Sequence, residues 1–147
     1  MLYLRTGRME RIQKTARKIT NASRRKVIGH FHSRKMKVRI PFESMPERNY
    51  MLYLDAAPDV RAFYSQPRTI QYLNSDNRLV NYTTDLRVIF FSTERPKNVE
   101  VKSEDSAGYH EIVEKNSLLE AEFSRRGEDF ELVTTEFKEK QPELNNR

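Results

Sequence analysis

Two alternating runs constrain this chain most. Residues 68–74 (RTIQYLN) and 78–91 (RLVNYTTDLRVIFF) each alternate apolar and polar side chains, and only Ser75, Asp76 and Asn77 separate them. A period of two on both sides of a short polar turn predicts an antiparallel β-hairpin. The second run is long enough to bend, and Asp85 interrupts it. Past that point Leu86, Val88 and Phe90 share one face, while Asp85, Arg87, Ile89 and Phe91 share the other.

A hairpin needs elements to cover its faces, and the flanking sequence supplies them. After the turn STERPKN, residues 98–104 (NVEVKSE) read as a third strand, with Val99 and Val101 on one side and Glu100 and Lys102 on the other. Residues 109–126 carry Ile112, Asn116, Leu119 and Phe123 at helical spacing, and Gly127 is placed to end that helix. FELVTT is a last strand, which the helical crossover allows to lie parallel to its partner. Upstream, Ser44 is an N-cap with Pro46 in the first turn and Glu47 three residues on, which predicts a helix from about Met45 to Asp55. Tyr50, Met51 and Leu54 form its apolar stripe, and Pro58 stops it. The expected class is α/β, a mixed central sheet flanked by helices.

Charge divides the chain. Residues 1–40 hold 13 Lys/Arg and one acid, Glu10, for +12; residues 41–147 hold 14 Lys/Arg and 20 Asp/Glu, for −6, consistent with the total of +6. The expected organisation is a basic N-terminal arm (1–40), a core (41–136) and a polar tail (137–147). The arm is expected to contain an amphipathic helix near residues 8–19 and to order fully on a polyanionic partner, with every core strand and helix beyond Ile40. Arg24, Arg25, Lys26, Arg34, Lys35 and Lys37 on the arm, with Arg48 on the first helix and then Arg61 and Arg68, are the candidate phosphate contacts, while Lys115 on the helix at 109–126 reads as solvated rather than catalytic. The absence of cysteine excludes disulfides and thiolate chemistry and suits a reducing cytoplasm. No apolar run approaches the roughly 18 to 20 residues of a membrane span. His30 and His32 lack a third ligand nearby in sequence and do not make a zinc site. No glycine-rich phosphate loop supports NTP hydrolysis.

On the strand at 98–104, Glu100 and Lys102 project together about 6.6 Å apart, and Asp85 lies at the bend of the neighbouring strand. From these residues alone two readings stay open: a Glu–Lys pair on an exposed strand face, or a site in which hard carboxylate oxygens hold Mg²⁺ and the ammonium orients water or offsets charge developing on a phosphate. The order D–x14–E–x–K resembles the active-site pattern of the PD-(D/E)xK nucleases.

The surrounding sequence is similar to the TnsA family, the endonuclease subunit of heteromeric bacterial transposases. The shared series is Gly29, Ser33 and Lys35, then Glu43-Ser44 and Glu47-Arg48, then Ala57-Pro58-Asp59-Val60. It continues through Gln66-Pro67, Tyr82 with Asp85, and Glu100-Val101-Lys102, spanning roughly residues 16–136. The resemblance implies a restriction-endonuclease-like PD-(D/E)xK core and a Mg²⁺-dependent DNA endonuclease, with Mn²⁺ able to substitute. Asp85 and Glu100 would be the metal ligands, Lys102 the water-orienting or charge-stabilising group, and Glu47 the helix-borne acid completing the site. Gln66 would lie in the site wall or on the DNA. Products would carry a 5′-phosphate and a 3′-hydroxyl.

Thr84 stands where the family has Pro before the catalytic Asp. The family's second domain, which meets a partner ATPase, is not expected within a chain ending at Arg147. Implied partners are DNA and a transposase or other recombination or phage protein; a homodimer would supply two active sites for cutting both strands. The implied setting is the cytoplasm of a bacterial host or phage-infected cell. The alternative function is a catalytically inactive DNA-binding or assembly module that retains the nuclease fold.

Overall fold

The computed structural model describes residues 2–5, 8–15, 29–104 and 108–134. In chain order the N-terminal strands are β1 (Leu2–Arg5), β2 (Arg8–Ile12), β3 (Gly29–His32) and β4 (Val38–Phe42), followed by helix α1 (Met45–Ala56). Then come β5 (Val60–Ser65), β6 (Thr69–Leu73), β7 (Leu79–Thr83), β8 (Leu86–Phe90) and β9 (Lys97–Val101). Helix α2 (Tyr109–Arg125) and β10 (Asp129–Val133) complete the described chain.

The central sheet has the order β10-β9-β8-β5. Its β9–β10 pair is parallel, as the crossover through α2 requires, and its other pairs are antiparallel. The predicted hairpin is β6–β7, and the long second run does break at Asp85: β7 stays with the hairpin while β8 enters the central sheet. Asp85 therefore sits at the junction of two sheets. The class is α/β with mixed sheets, as expected.

Both predicted helices form. The Ser44 Oγ accepts the Glu47 amide at 3.2 Å and donates to Glu47 Oε2 at 3.0 Å, a reciprocal cap that starts α1 one residue before its first-turn proline. Tyr50, Met51 and Leu54 are buried on the predicted stripe. Gly127, at φ 80°, ends α2.

Two clusters make the interior. One packs α1 against the central sheet and β3–β4, through Ile40, Met51, Leu54, Phe63, Leu86 and Val99. The other packs α2 against the hairpin and β10, through Ile70, Tyr72, Ile112, Leu119, Phe123 and Phe130.

The N-terminal expectations need correction. Residues 8–12 are strand β2, not the start of a helix, and residues 16–19 of that expected helix lie outside the described residues. Regular structure does not begin beyond Ile40. Strands β3 and β4 pair antiparallel, and Phe31 and Ile40 are buried in the first core cluster. Gly29 lies opposite Phe42, where a Cβ would meet the ring at 2.6 Å, so only glycine lets the two strands close there without moving that side chain. Alternation in Val38, Ile40 and Phe42 carried the strand signal, and the surrounding cations obscured it. Strand β5, missed from the sequence, buries Phe63 and pairs with β8.

The β3–β4 turn is locked to the C-terminus of α1. That helix has no basic residue in its last turn. Lys35 supplies one from outside: its Nζ donates to the carbonyls of Leu54 (3.1 Å), Ala57 (2.5 Å) and Val60 (2.5 Å). A cation there satisfies carbonyls that the helix cannot, and it complements the helix dipole. Asp55 completes the lock, accepting from the Ser33 hydroxyl at 2.5 Å and from the Arg34 amide at 3.0 Å.

Candidate active site

Val99 and Val101 face the first core cluster, and Glu100 on the opposite side is also buried, only 7% exposed. Its carboxylate is not left to itself. Tyr82, on β7, donates its hydroxyl to Glu100 Oε2 at 2.7 Å, and the Lys102 ammonium lies 3.8 Å from Oε1.

Asp85, in the bend between β7 and β8, accepts the Val101 amide on Oδ2 at 2.8 Å, which ties the bend to β9. It keeps some accessible surface, yet its carboxyl end is withdrawn from water. Burial raises its pKa well above the usual carboxylate range, and the charges of Glu100 and Glu47 raise it further. The Val101 amide and Lys102 offset part of that rise.

Glu47 reaches the same place from the first turn of α1. It is 5% exposed, and burial pushes its carboxyl up to about 7. Hydrogen bonds with Ser44 and with the Glu43 backbone oppose that shift, while the charges of Glu43 and Glu100 add to it. Its Oε1 is buried without a hydrogen-bond partner. Three mutually coupled acids thus come from a helix, a bend and a strand, Glu47 held by its neighbour Ser44 and Asp85 and Glu100 by hydrogen bonds from more distant residues, with Lys102 beside Glu100.

The donor set fits a hard divalent cation. Asp85 and Glu47 have pKa values raised first by burial and then by neighbouring carboxylates, and Glu47 Oε1 is buried without a hydrogen-bond partner, a setting a bound cation would relieve. Among the described residues no three His, Cys, Asp or Glu side chains are already arranged to hold one metal ion. Mg²⁺ does not need three, because it binds through one or two carboxylates and retains several waters.

Gln66, expected to touch DNA or line the site, is buried beside the bend that carries Asp85. It is 1% exposed, so it presents no surface to a duplex. Its backbone is left-handed at φ 44°, and its amide donates to the Asp85 carbonyl at 2.9 Å. Its side-chain Nε2 donates to Glu43 Oε1 at 2.9 Å. A non-glycine residue held in that region stores strain, and here the strain lies against the bend that carries Asp85.

The remaining sequence candidates separate from this cluster. Arg34, Lys35 and Lys37 occupy the β3–β4 turn at the far end of α1, about 15 Å along the helix from Glu47. Arg34 and Lys37 are exposed there, but the Lys35 ammonium is committed to three backbone carbonyls and is not free for phosphate. Arg48 is half-buried on α1 next to Glu47. Arg24, Arg25 and Lys26 lie outside the described residues. Arg68, which looked suited to phosphate, is paired instead with buried Glu128, where Arg87 (3.2 Å) and Asn98 (3.3 Å) also converge.

Two features of the site escaped the sequence reading. One is the Tyr82 hydroxyl on Glu100; Tyr82 lies three residues before Asp85, but nothing in a strand pattern says that its phenol crosses to β9. The other is Lys115. Read as a solvated helix residue, it does bond Glu111 at 2.6 Å, and that bond raises its pKa, with a smaller contribution from the charge of Glu100.

No curated protein matches the chain. A family model, described as TnsA-like endonuclease N terminal, matches residues 57–135, more than half of the 147 residues. Asp85, Glu100 and Lys102 fall within that span, and Glu47 precedes it. The chain belongs to the TnsA-like endonuclease N-terminal family.

Proposed function

We propose that this protein is a metal-dependent DNA endonuclease with a PD-(D/E)xK active site. The observation that carries the reading is the convergence of Glu47, Asp85 and Glu100, three acids from three separate elements, with Lys102 beside Glu100. A structural ion pair would not need this arrangement. Glu47 and Asp85 have pKa values raised first by burial and then by neighbouring carboxylates, so the cluster holds negative charge that a structural ion pair would not gather.

Asp85 and Glu100 would hold Mg²⁺, or Mn²⁺ in its place, with Glu47 completing the site. When bound, the ion supplies a water of lowered pKa and neutralises charge on the scissile phosphate. Lys102, tethered on the strand end by its neighbour Glu100, orients the attacking water or offsets charge growing on the phosphate oxygens. The Val101 amide and the Tyr82 hydroxyl fix the two ligating side chains, so little reorganisation is needed when substrate arrives. The products of this reading are a 5′-phosphate and a 3′-hydroxyl.

Affinity for DNA would come largely from the basic N-terminal residues, including Arg24, Arg25 and Lys26, through counterion release. Arg34 and Lys37 on the β3–β4 turn and Arg48 near the start of α1 would add positive charge at two separate places. The biological setting we propose is transposition or phage DNA processing, beside a transposase or another recombination protein. Two copies would act together where both strands are cut.

A supercoiled plasmid incubated with the protein tests this reading. Nicked or linear product should appear with Mg²⁺ or Mn²⁺ and not with EDTA, and its ends should be ligatable without phosphate treatment. A protein that binds the plasmid and never cuts it under either metal would instead be a DNA-binding module on a nuclease fold.

A further inference from the structure

Glu100 has two oxygens in different situations. Oε2 accepts the Tyr82 hydroxyl at 2.7 Å, whereas Oε1 faces Lys102 at 3.8 Å, beyond hydrogen-bond length. The phenol is itself immobilised. Its ring meets Phe123 at 6.4 Å and Phe130 at 6.2 Å, both edge-on, and Tyr72 at 6.5 Å likewise. Phe123 and Phe130 stack on each other at 5.7 Å, so the ring stands against a rigid aromatic wall built from α2 and β10. A buried phenol normally finds a partner for its hydroxyl. This one finds a carboxylate of the candidate active site, in another sheet.

We propose that Tyr82 is a positioning residue for metal binding: its hydroxyl fixes Oε2 of Glu100 and so turns Oε1 toward the cation and Lys102. This inference rests on the nuclease reading above and deepens it. With Oε2 tied to the phenol, Oε1 would be the better placed of the two oxygens to contribute to a Mg²⁺ site, which needs only one or two carboxylates. The hydrogen bond also makes the hairpin β6–β7 part of the site. Tyr82 and Asp85 are three residues apart on one run, so the same segment supplies one ligand and orients the other. Partners that orient a ligating side chain in this way typically change metal affinity by 10- to 100-fold when removed.

Tyr82→Phe removes the hydroxyl and keeps the ring in its aromatic wall. The experiment is Mn²⁺ binding to the full chain without DNA, measured by calorimetry or by the paramagnetic resonance of free Mn²⁺. Phe130→Leu serves as a second variant: it loosens the same wall but leaves the phenol. Thermal melting in EDTA is recorded for all three proteins. The expected result is a loss of Mn²⁺ affinity of about tenfold or more in Y82F, with F130L melting lower yet binding Mn²⁺ within threefold of wild type. In plasmid nicking, Y82F should need correspondingly more Mg²⁺ for half-maximal rate while its rate at saturating Mg²⁺ largely recovers. Mn²⁺ affinity in Y82F within threefold of wild type overturns the proposal. So does an equal loss in F130L, which would make the wall and not the hydroxyl responsible. A wild-type chain that binds no Mn²⁺ removes the metal-dependent reading itself, a result separate from either of these.

Discussion

Glu47 offers a perturbation whose size and sign follow from its surroundings. Its carboxyl is pushed from the ordinary 4.5 up to about 7, first by burial and then by Glu43 and Glu100, against the opposing Ser44 hydrogen bond. A folded-state pKa above the unfolded value means that the native protein holds this proton more tightly. The stabilisation is therefore fully present below about pH 4.5 and is lost as pH rises to 7, after which the difference is constant. At about 1.4 kcal/mol per unit, the loss is on the order of 3 kcal/mol.

Glu47→Gln keeps the shape and an oxygen for Ser44 but never ionises. In metal-free buffer with EDTA the variant should melt close to wild type at pH 4.5. At pH 8 it should melt higher by up to roughly 10 °C, given about 3 °C per kcal/mol for a chain of this size. Mg²⁺ at pH 8 should raise the melting temperature of wild type more than that of the variant, since the cation compensates the charge the variant lacks. Cleavage should fall sharply in the same variant. An identical melting difference at both pH values, or a less stable variant at pH 8, would show that Glu47 is not a buried, charge-frustrated acid.

Lys35→Met keeps the aliphatic stem and removes the ammonium from three carbonyls at the end of α1, so urea denaturation should show a loss of about 2 to 3 kcal/mol; a change below about 0.5 kcal/mol would mean that water serves those carbonyls as well. Replacing Arg24, Arg25 and Lys26 together by Gln should lower the salt slope of duplex DNA binding by ~2.7, about 0.9 for each lost phosphate contact, with melting unchanged. An unaltered slope would place the DNA contacts elsewhere on the protein.

Much of the site was legible because its residues follow strand and cap chemistry. The period of two put Glu100 on β9 beside Lys102 just past its end, the interruption at Asp85 marked a real change of sheet, and Ser44 with Glu47 marked the start of α1. What a single sequence does not carry is the pairing of distant side chains. Lys35 reads as one more cation in a basic stretch until the C-terminus of α1 is set beside it. Arg68 reads as a phosphate ligand until Glu128 arrives from sixty residues away. Strands β3 and β4 were hidden by charge density: Phe31 and Ile40 are buried between residues that suggest an open, solvated arm. The consequence is physical, since a body cut at residue 36 would lose β3 and the Lys35 lock and would not keep its core.

The central claim is that Asp85, Glu100 and Lys102 carry out metal-dependent DNA cleavage. The direct measurement is the single-turnover rate of plasmid nicking by wild type, Asp85→Ala and Lys102→Ala, at saturating Mg²⁺, with DNA affinity measured on the same preparations in Ca²⁺ or EDTA. The account predicts that wild type cuts only with metal, and that each variant loses cleavage by at least about a thousandfold, since metal and charge stabilisation act on the chemical step. DNA affinity should stay largely intact, because phosphate contacts from the basic residues set it. An Asp85→Ala protein that still nicks plasmid at the wild-type rate, under clean metal controls, would contradict the account.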